Sequence, residues 1–109
     1  MSELYEMDCK RPQKGEGLAE AEIMAYARQV PEWEVIQVEG EPRLQRKFKF
    51  KDFAAALHFT NQVGELAEAQ DHHPSILTEW GLATVTFWTH ATGGLHVNDF
   101  IMAAKVDRL

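Results

Sequence analysis

Two adjacent imidazoles, His72 and His73, follow the carboxylates of Glu68 and Asp71 and precede Pro74. Histidine's unperturbed pKa, about 6.5, lets it give and take protons near neutrality. A third imidazole, His90, follows Thr86-Phe87-Trp88-Thr89 and stands ahead of Gly93-Gly94, with Asp99 further along. If the segment ending at Asp71 packs beside the stretch carrying His90, three imidazoles converge with Glu68, Asp71 and Asp99. Such a collection suits proton transfer or, with three ring nitrogens, zinc. Zinc is the weaker reading. Adjacent residues of an extended segment point to opposite sides, so His72 and His73 do not easily ligate one ion. The competing reading is a polar turn whose histidines are solvated.

Several elements must position these groups. Residues 1–17 mix charge, Pro12, Gly15 and Gly17 without periodicity and form an N-terminal arm; residues 18–109 form one domain. Leu18, Ala21, Ile23, Ala25 and Val30 mark a short helix stopped by Pro31. Trp33–Val38 and Arg43–Phe50 are strand-like, joined by the turn signal Glu39-Gly40-Glu41-Pro42. Leu44, Phe48 and Phe50 share one face of the second strand, with Arg46 intruding. Asp52 is placed to cap a helix with Phe53, Ala56, Leu57, Thr60, Val63 and Ala67 at helical spacing. This helix ends by Asp71, because Pro74 pushes His73 toward extended geometry.

Ile76–Trp80 and Leu82–His90 form the second strand pair, broken at Gly81. A last helix runs from near Asn98 to about Asp107, with Phe100, Ala103 and Ala104 inward and Asp99 in its first turn. The order α-β-β-α-β-β-α predicts an α+β, two-layer domain: a four-stranded antiparallel sheet with helices packed on one face. Phe48, Phe50 and Phe53 are expected in the core, and His58 and His96 at the surface.

The chain has 109 residues, a formal charge of -6, 45% apolar and 26% charged residues, the profile of an ordinary globular domain. The acidic balance argues against nucleic-acid binding and against docking on anionic membranes. Cys9 is the single cysteine, so no internal disulfide or Cys-x-x-Cys site exists. No basic-then-apolar leader and no run of roughly 20 apolar residues is present, and a cytoplasmic location is expected.

Phe48-Lys49-Phe50-Lys51-Asp52-Phe53, Glu68-x-x-x-His72-His73-Pro74 and the spacing from Trp80 through Thr89-His90 to Asp99-Phe100-Ile101 resemble the pterin-4a-carbinolamine dehydratase family. The resemblance runs from Trp33 to Leu109 without a gap. It implies dehydration of 4a-hydroxytetrahydrobiopterin, a product of aromatic amino-acid hydroxylases, to quinonoid dihydropterin in pterin recycling. Loss of water takes one proton to the C4a hydroxyl and one from ring N5. No electrons move, and no cofactor or metal is required.

Carried over, His72 and His90 match the acid and base positions, and His73 the one that chiefly holds the pterin. Glu68, Asp71, Thr89, Asp99 and Trp33 would orient imidazoles or contact the substrate. The resemblance also implies a homodimer or homotetramer. A non-enzymatic alternative is a binding protein or dimerisation cofactor for a transcription factor, as in animal relatives, using a surface away from the pterin site. Ser75 and Ile76 stand where the better-known animal members carry an acidic residue and tryptophan, leaving Trp80 or Trp88 to supply an aromatic wall. His96 replaces the usual hydroxyl residue three positions before Asp99, which removes the ordinary capping box.

Overall fold

Residues 3–109 are described by the structure, a computed structural model. Its elements are α1 (Glu20–Ala27), β1 (Glu34–Val38), β2 (Glu41–Lys49), α2 (Phe53–Gln70), β3 (Ser75–Glu79), β4 (Leu82–Phe87) and α3 (Val97–Val106). Short 3-10 turns cover Leu4–Glu6 and His90–Thr92. The strands form one antiparallel sheet in the order β1-β2-β4-β3. The two hairpins therefore meet at the centre, where Leu44 pairs with Phe87 and Phe48 with Ala83. This is the α+β architecture expected from the order of elements.

Alternation sorts the two faces. Leu44, Phe48, Ala83, Val85 and Phe87 lie on the face covered by the helices, where Phe59, Val63 and Ala67 of α2 meet Phe100 and Ala103 of α3. The opposite face carries Gln45 hydrogen-bonded to Thr86, Arg43 stacked 3.9 Å over Trp88, and the exposed Leu77. Arg46, the intruder on the apolar face, has a specific use. Its guanidinium lies over Phe48 and binds Asp107, at the end of α3, at 2.7 Å.

Local signals explain most boundaries. Asp52 caps α2 by accepting the Ala55 N–H at 2.8 Å. The β1–β2 reversal is tighter than the turn signal implied. Glu39 and Gly40 alone make it, with φ of 51° and 80°, the pair of positive angles of a type I′ hairpin. Glu41 and Pro42 already belong to β2, and Pro42 is tolerated because only β1 flanks the strand there.

Other expectations need correction. Phe53 and Leu57 are each 44% exposed, and Phe59 takes the inward place, its ring centroid 4.5 Å from that of Phe48 and 5.2 Å from that of Phe50. The final strand ends at Phe87, so His90 sits in a 3-10 turn rather than in the strand. His58 is exposed as expected, but His96 is 1% exposed. No helix among the described residues is long and apolar enough to cross a membrane.

Candidate active site

The site forms where α2 ends and α3 begins. Asp71 closes α2 in the left-handed region, with φ of 50°. Its side chain is exposed and borders a cavity of about 440 Å³ lined also by Cys9, Lys10, Arg11, Pro12 and Gln70. The left-handed turn throws the next two residues into extended chain ahead of β3, and alternation then separates the imidazoles. His72 turns inward and is 8% exposed, its ring parallel to that of Phe87 at a centroid distance of 6.2 Å. His73 turns outward and pairs with Glu68 at 2.6 Å, with both side chains largely in solvent.

Asp99 is the hub. Fully buried in the first turn of α3, it faces the Nε2 of His72 with Oδ1 at 2.6 Å. Its Oδ2 accepts the Thr89 hydroxyl at 2.8 Å and the His96 N–H at 2.9 Å. Two of these groups are donors and His72 completes the set when its proton is on Nε2, the acceptor-only role that an ionised carboxylate fills. Nδ1 of His72 is then left with its lone pair free. Thr89 also fixes the position of His90, the next residue, which begins the 3-10 turn with an exposed side chain. Asp99 thus joins His72 to Thr89, the residue that precedes His90.

The remaining residues divide clearly. Glu68 orients His73 and not His72. Asp71 makes no hydrogen bond to an imidazole and instead shapes the junction. Trp33 lies in the core, 4% exposed, packed on Phe48 and Phe87 with its indole N–H donating to Asp107 at 2.8 Å. Trp80, at the β3–β4 turn, lies at the opposite end of that hairpin from Phe87, whereas Trp88 directly follows Phe87. Among the described residues, no group of three His, Cys, Asp or Glu side chains is placed to hold a metal ion.

Sequence reasoning missed three contributors. His96 restores the capping box it seemed to abolish: its Nδ1 accepts the Asn98 N–H at 3.0 Å while Asp99 reciprocates on the His96 N–H. Nδ1 is as many bonds from Cα as the Oδ1 of Asn or Asp, so an imidazole at that position can serve as an N-cap. Phe87, fully buried at the end of β4, is also the platform on which His72 stacks. Asn98, 1% exposed, pins the N-terminal arm, and no local pattern announces that contact.

Cys9 belongs to that arm. Burial is the main cause that pushes its thiol from 9.0 up to about 11; Lys105 opposes the rise, and Asp99 and Asp8 add smaller contributions to it. Because folding raises this pKa, the associated stability is intact below pH 9.0 and is lost as pH rises through about 11. The two-unit rise cuts the thiolate roughly a hundredfold at pH 8, so iodoacetamide should label native Cys9 tens of times more slowly than the denatured chain. Mass spectrometry of a labelling time course reads this directly, and equal rates would contradict the burial.

The fold and site together define an α+β protein with a buried carboxylate–imidazole couple and two further histidines nearby. The model of the pterin 4 alpha carbinolamine dehydratase family matches residues 16–109. A Microcystis aeruginosa relative carrying the pterin-4-alpha-carbinolamine dehydratase name is 50% identical, over 98% of this chain and 93% of its own. A Chlorobium limicola relative with that name is 54% identical, over 100% of this chain and 97% of its own. A solved Brucella melitensis structure, described as a transcriptional coactivator/pterin dehydratase, superposes with a TM-score of 0.76 at 35% identity, covering 84% of this chain and 96% of its own. The chain belongs to the pterin-4a-carbinolamine dehydratase family.

Proposed function

We propose that the protein is a hydro-lyase that dehydrates 4a-hydroxytetrahydrobiopterin to quinonoid dihydropterin and water by histidine acid/base catalysis. The observation that carries this reading is the buried Asp99–His72 couple, joined through Thr89 to His90. The reaction breaks the C4a–O bond and forms the C4a=N5 double bond. One group must protonate the departing hydroxyl while another takes the N5 proton. With Nε2–H held by Asp99, Nδ1 of His72 is the atom free to accept a proton, and the carboxylate behind it stabilises the imidazolium that results. His90, exposed and without a carboxylate partner, suits the donating half. His73, on the outer side of the junction and oriented by Glu68, contacts the pterin rather than the transferred protons. Thr89 and Asp99 position these groups.

The test is direct. The purified protein should accelerate the decay of carbinolamine generated by an aromatic amino-acid hydroxylase, followed by ultraviolet absorbance. A wild-type protein without effect on that decay would sink the reading. Self-association into dimers or tetramers belongs to the same proposal, and native mass spectrometry measures it. A second reading, protein binding in the manner of a coactivator, is favoured by Phe53 and Leu57, which α2 presents to solvent.

A further inference from the structure

Residues 8–10 of the arm lie across the seam between α2 and α3, on the residues next to the acid/base couple. Gln70 is two positions before His72, and its Oε1 accepts the Cys9 N–H at 2.8 Å while its Nε2 donates to Asp8 at 3.1 Å. Asn98 immediately precedes Asp99, and it pairs with both sides of the Lys10 backbone. Its Oδ1 accepts the Lys10 N–H at 3.1 Å, and its Nδ2 donates to the Lys10 carbonyl at 2.6 Å. The other end of the arm is anchored on α3. Leu4 is buried there, and Lys105 donates to the Tyr5 carbonyl at 3.0 Å.

The His72–Asp99 hydrogen bond spans this same seam, joining residues 27 positions apart on two separate helix ends. A side chain held at a junction keeps its geometry only as well as the two segments keep their spacing. Displacements of about 1 Å from a remote change can cost on the order of a hundredfold in rate.

We propose that Asn98 and Gln70 are positioning residues through which the N-terminal arm clamps α2 to α3 and so holds His72 in its Asp99-bonded orientation. This rests on the dehydratase reading only for its kinetic consequence. The orientation of His72 is measurable whether or not the protein turns over a pterin.

The experiment uses the full chain and nitrogen-15 NMR of His72, which reports the tautomer and the exchange of its Nε2–H proton. In the wild type we expect a protected proton on Nε2. In Asn98→Ala and in Gln70→Glu, whose new carboxylate opposes Asp8, we expect that proton to exchange at least tenfold faster. Native circular dichroism should be retained. Adding Asp8→Asn to Gln70→Glu supplies a donor to the new carboxylate and should restore the protection, a coupling that generic destabilisation does not produce.

If Asn98→Ala does not fold, the Gln70 and Asp8 pair decides alone. In a protein with dehydratase activity, the disturbed variants should lose about tenfold in kcat with KM within twofold. Unchanged exchange in the folded variants overturns the proposal, as does a Gln70→Glu defect that Asp8→Asn fails to repair. Absence of dehydration by the wild type would refute the proposed function and leave the NMR result standing.

Discussion

His72→Ala should lower kcat for carbinolamine dehydration by about 10²–10⁴, the range over which a positioned general acid or base contributes. The ring of His72 is stacked on Phe87 and bonded at Nε2 to Asp99, and its backbone N–H is held by the Ala67 carbonyl. A fixed imidazole with one nitrogen committed offers the other at a defined place, which is what proton transfer needs. His90→Ala should show a loss of similar kind, because the proposed mechanism assigns it the opposite proton transfer. His73→Ala should act chiefly on KM. Its hydrogen-bond partner, Glu68, is an exposed carboxylate, and such pairs contribute at most about 1 kcal/mol. Steady-state kinetics of the three variants distinguish these expectations. An unaltered kcat in His72→Ala would remove that residue from the mechanism.

Asp99→Ala should be the most damaging single substitution for stability. It leaves His72, the Thr89 hydroxyl and the His96 N–H without their acceptor in a region closed to water. Leaving a buried donor without its acceptor costs about 1–3 kcal/mol, so three orphaned donors together cost on the order of 3–5 kcal/mol even toward the low end of that range. For a domain of this size that corresponds to a fall in Tm of roughly 15–30 °C. Asp99→Asn should cost less, since one carbonyl oxygen still accepts, although its amide faces a donor. Thermal unfolding of both variants measures the difference. A fall of only a few degrees in Asp99→Ala would mean that the hub contributes little to folding. The same carboxylate is then both a structural cap and the group behind the reacting imidazole, so activity and stability losses at this position are expected to travel together.

The fold was readable where a local signal is strong. Asp52 before an apolar run, glycines at the reversals and Pro74 after the histidine pair set the ends of α2 and of both hairpins correctly to within a few residues. The inward face of α2 was less legible, because apolar residues surround the helix: Phe53, Leu57 and Phe59 cannot all face the core. Packing on Phe48 and Phe50 selects Phe59. The residue types of the candidate site were legible in the sequence, although a carboxylate or imidazole at a helix end can equally be a cap, as Asp52 and His96 are. Which carboxylate serves which imidazole was not. Asp71 is adjacent to His72 in sequence, yet Asp99 is its partner in space. His96 was misread because an imidazole acting as an N-cap leaves no apolar or charge pattern, and the arm's contacts span 61 and 88 positions, beyond the reach of periodicity.

The junction after α2 also sets which genetic changes this protein can absorb. His72 faces inward and His73 outward only because two extended residues alternate between the αL turn at Asp71 and the start of β3. Substitutions along this stretch alter one contact at a time. Insertion of a single codon between Asp71 and His72 would instead exchange the two sides, turning the inner imidazole to solvent and the outer one toward Asp99, whereas deletion of a codon between Asp71 and Pro74 would remove one of the histidines. The reading frame of the pleat, more than the identity of each neighbour, is therefore what descent must preserve here.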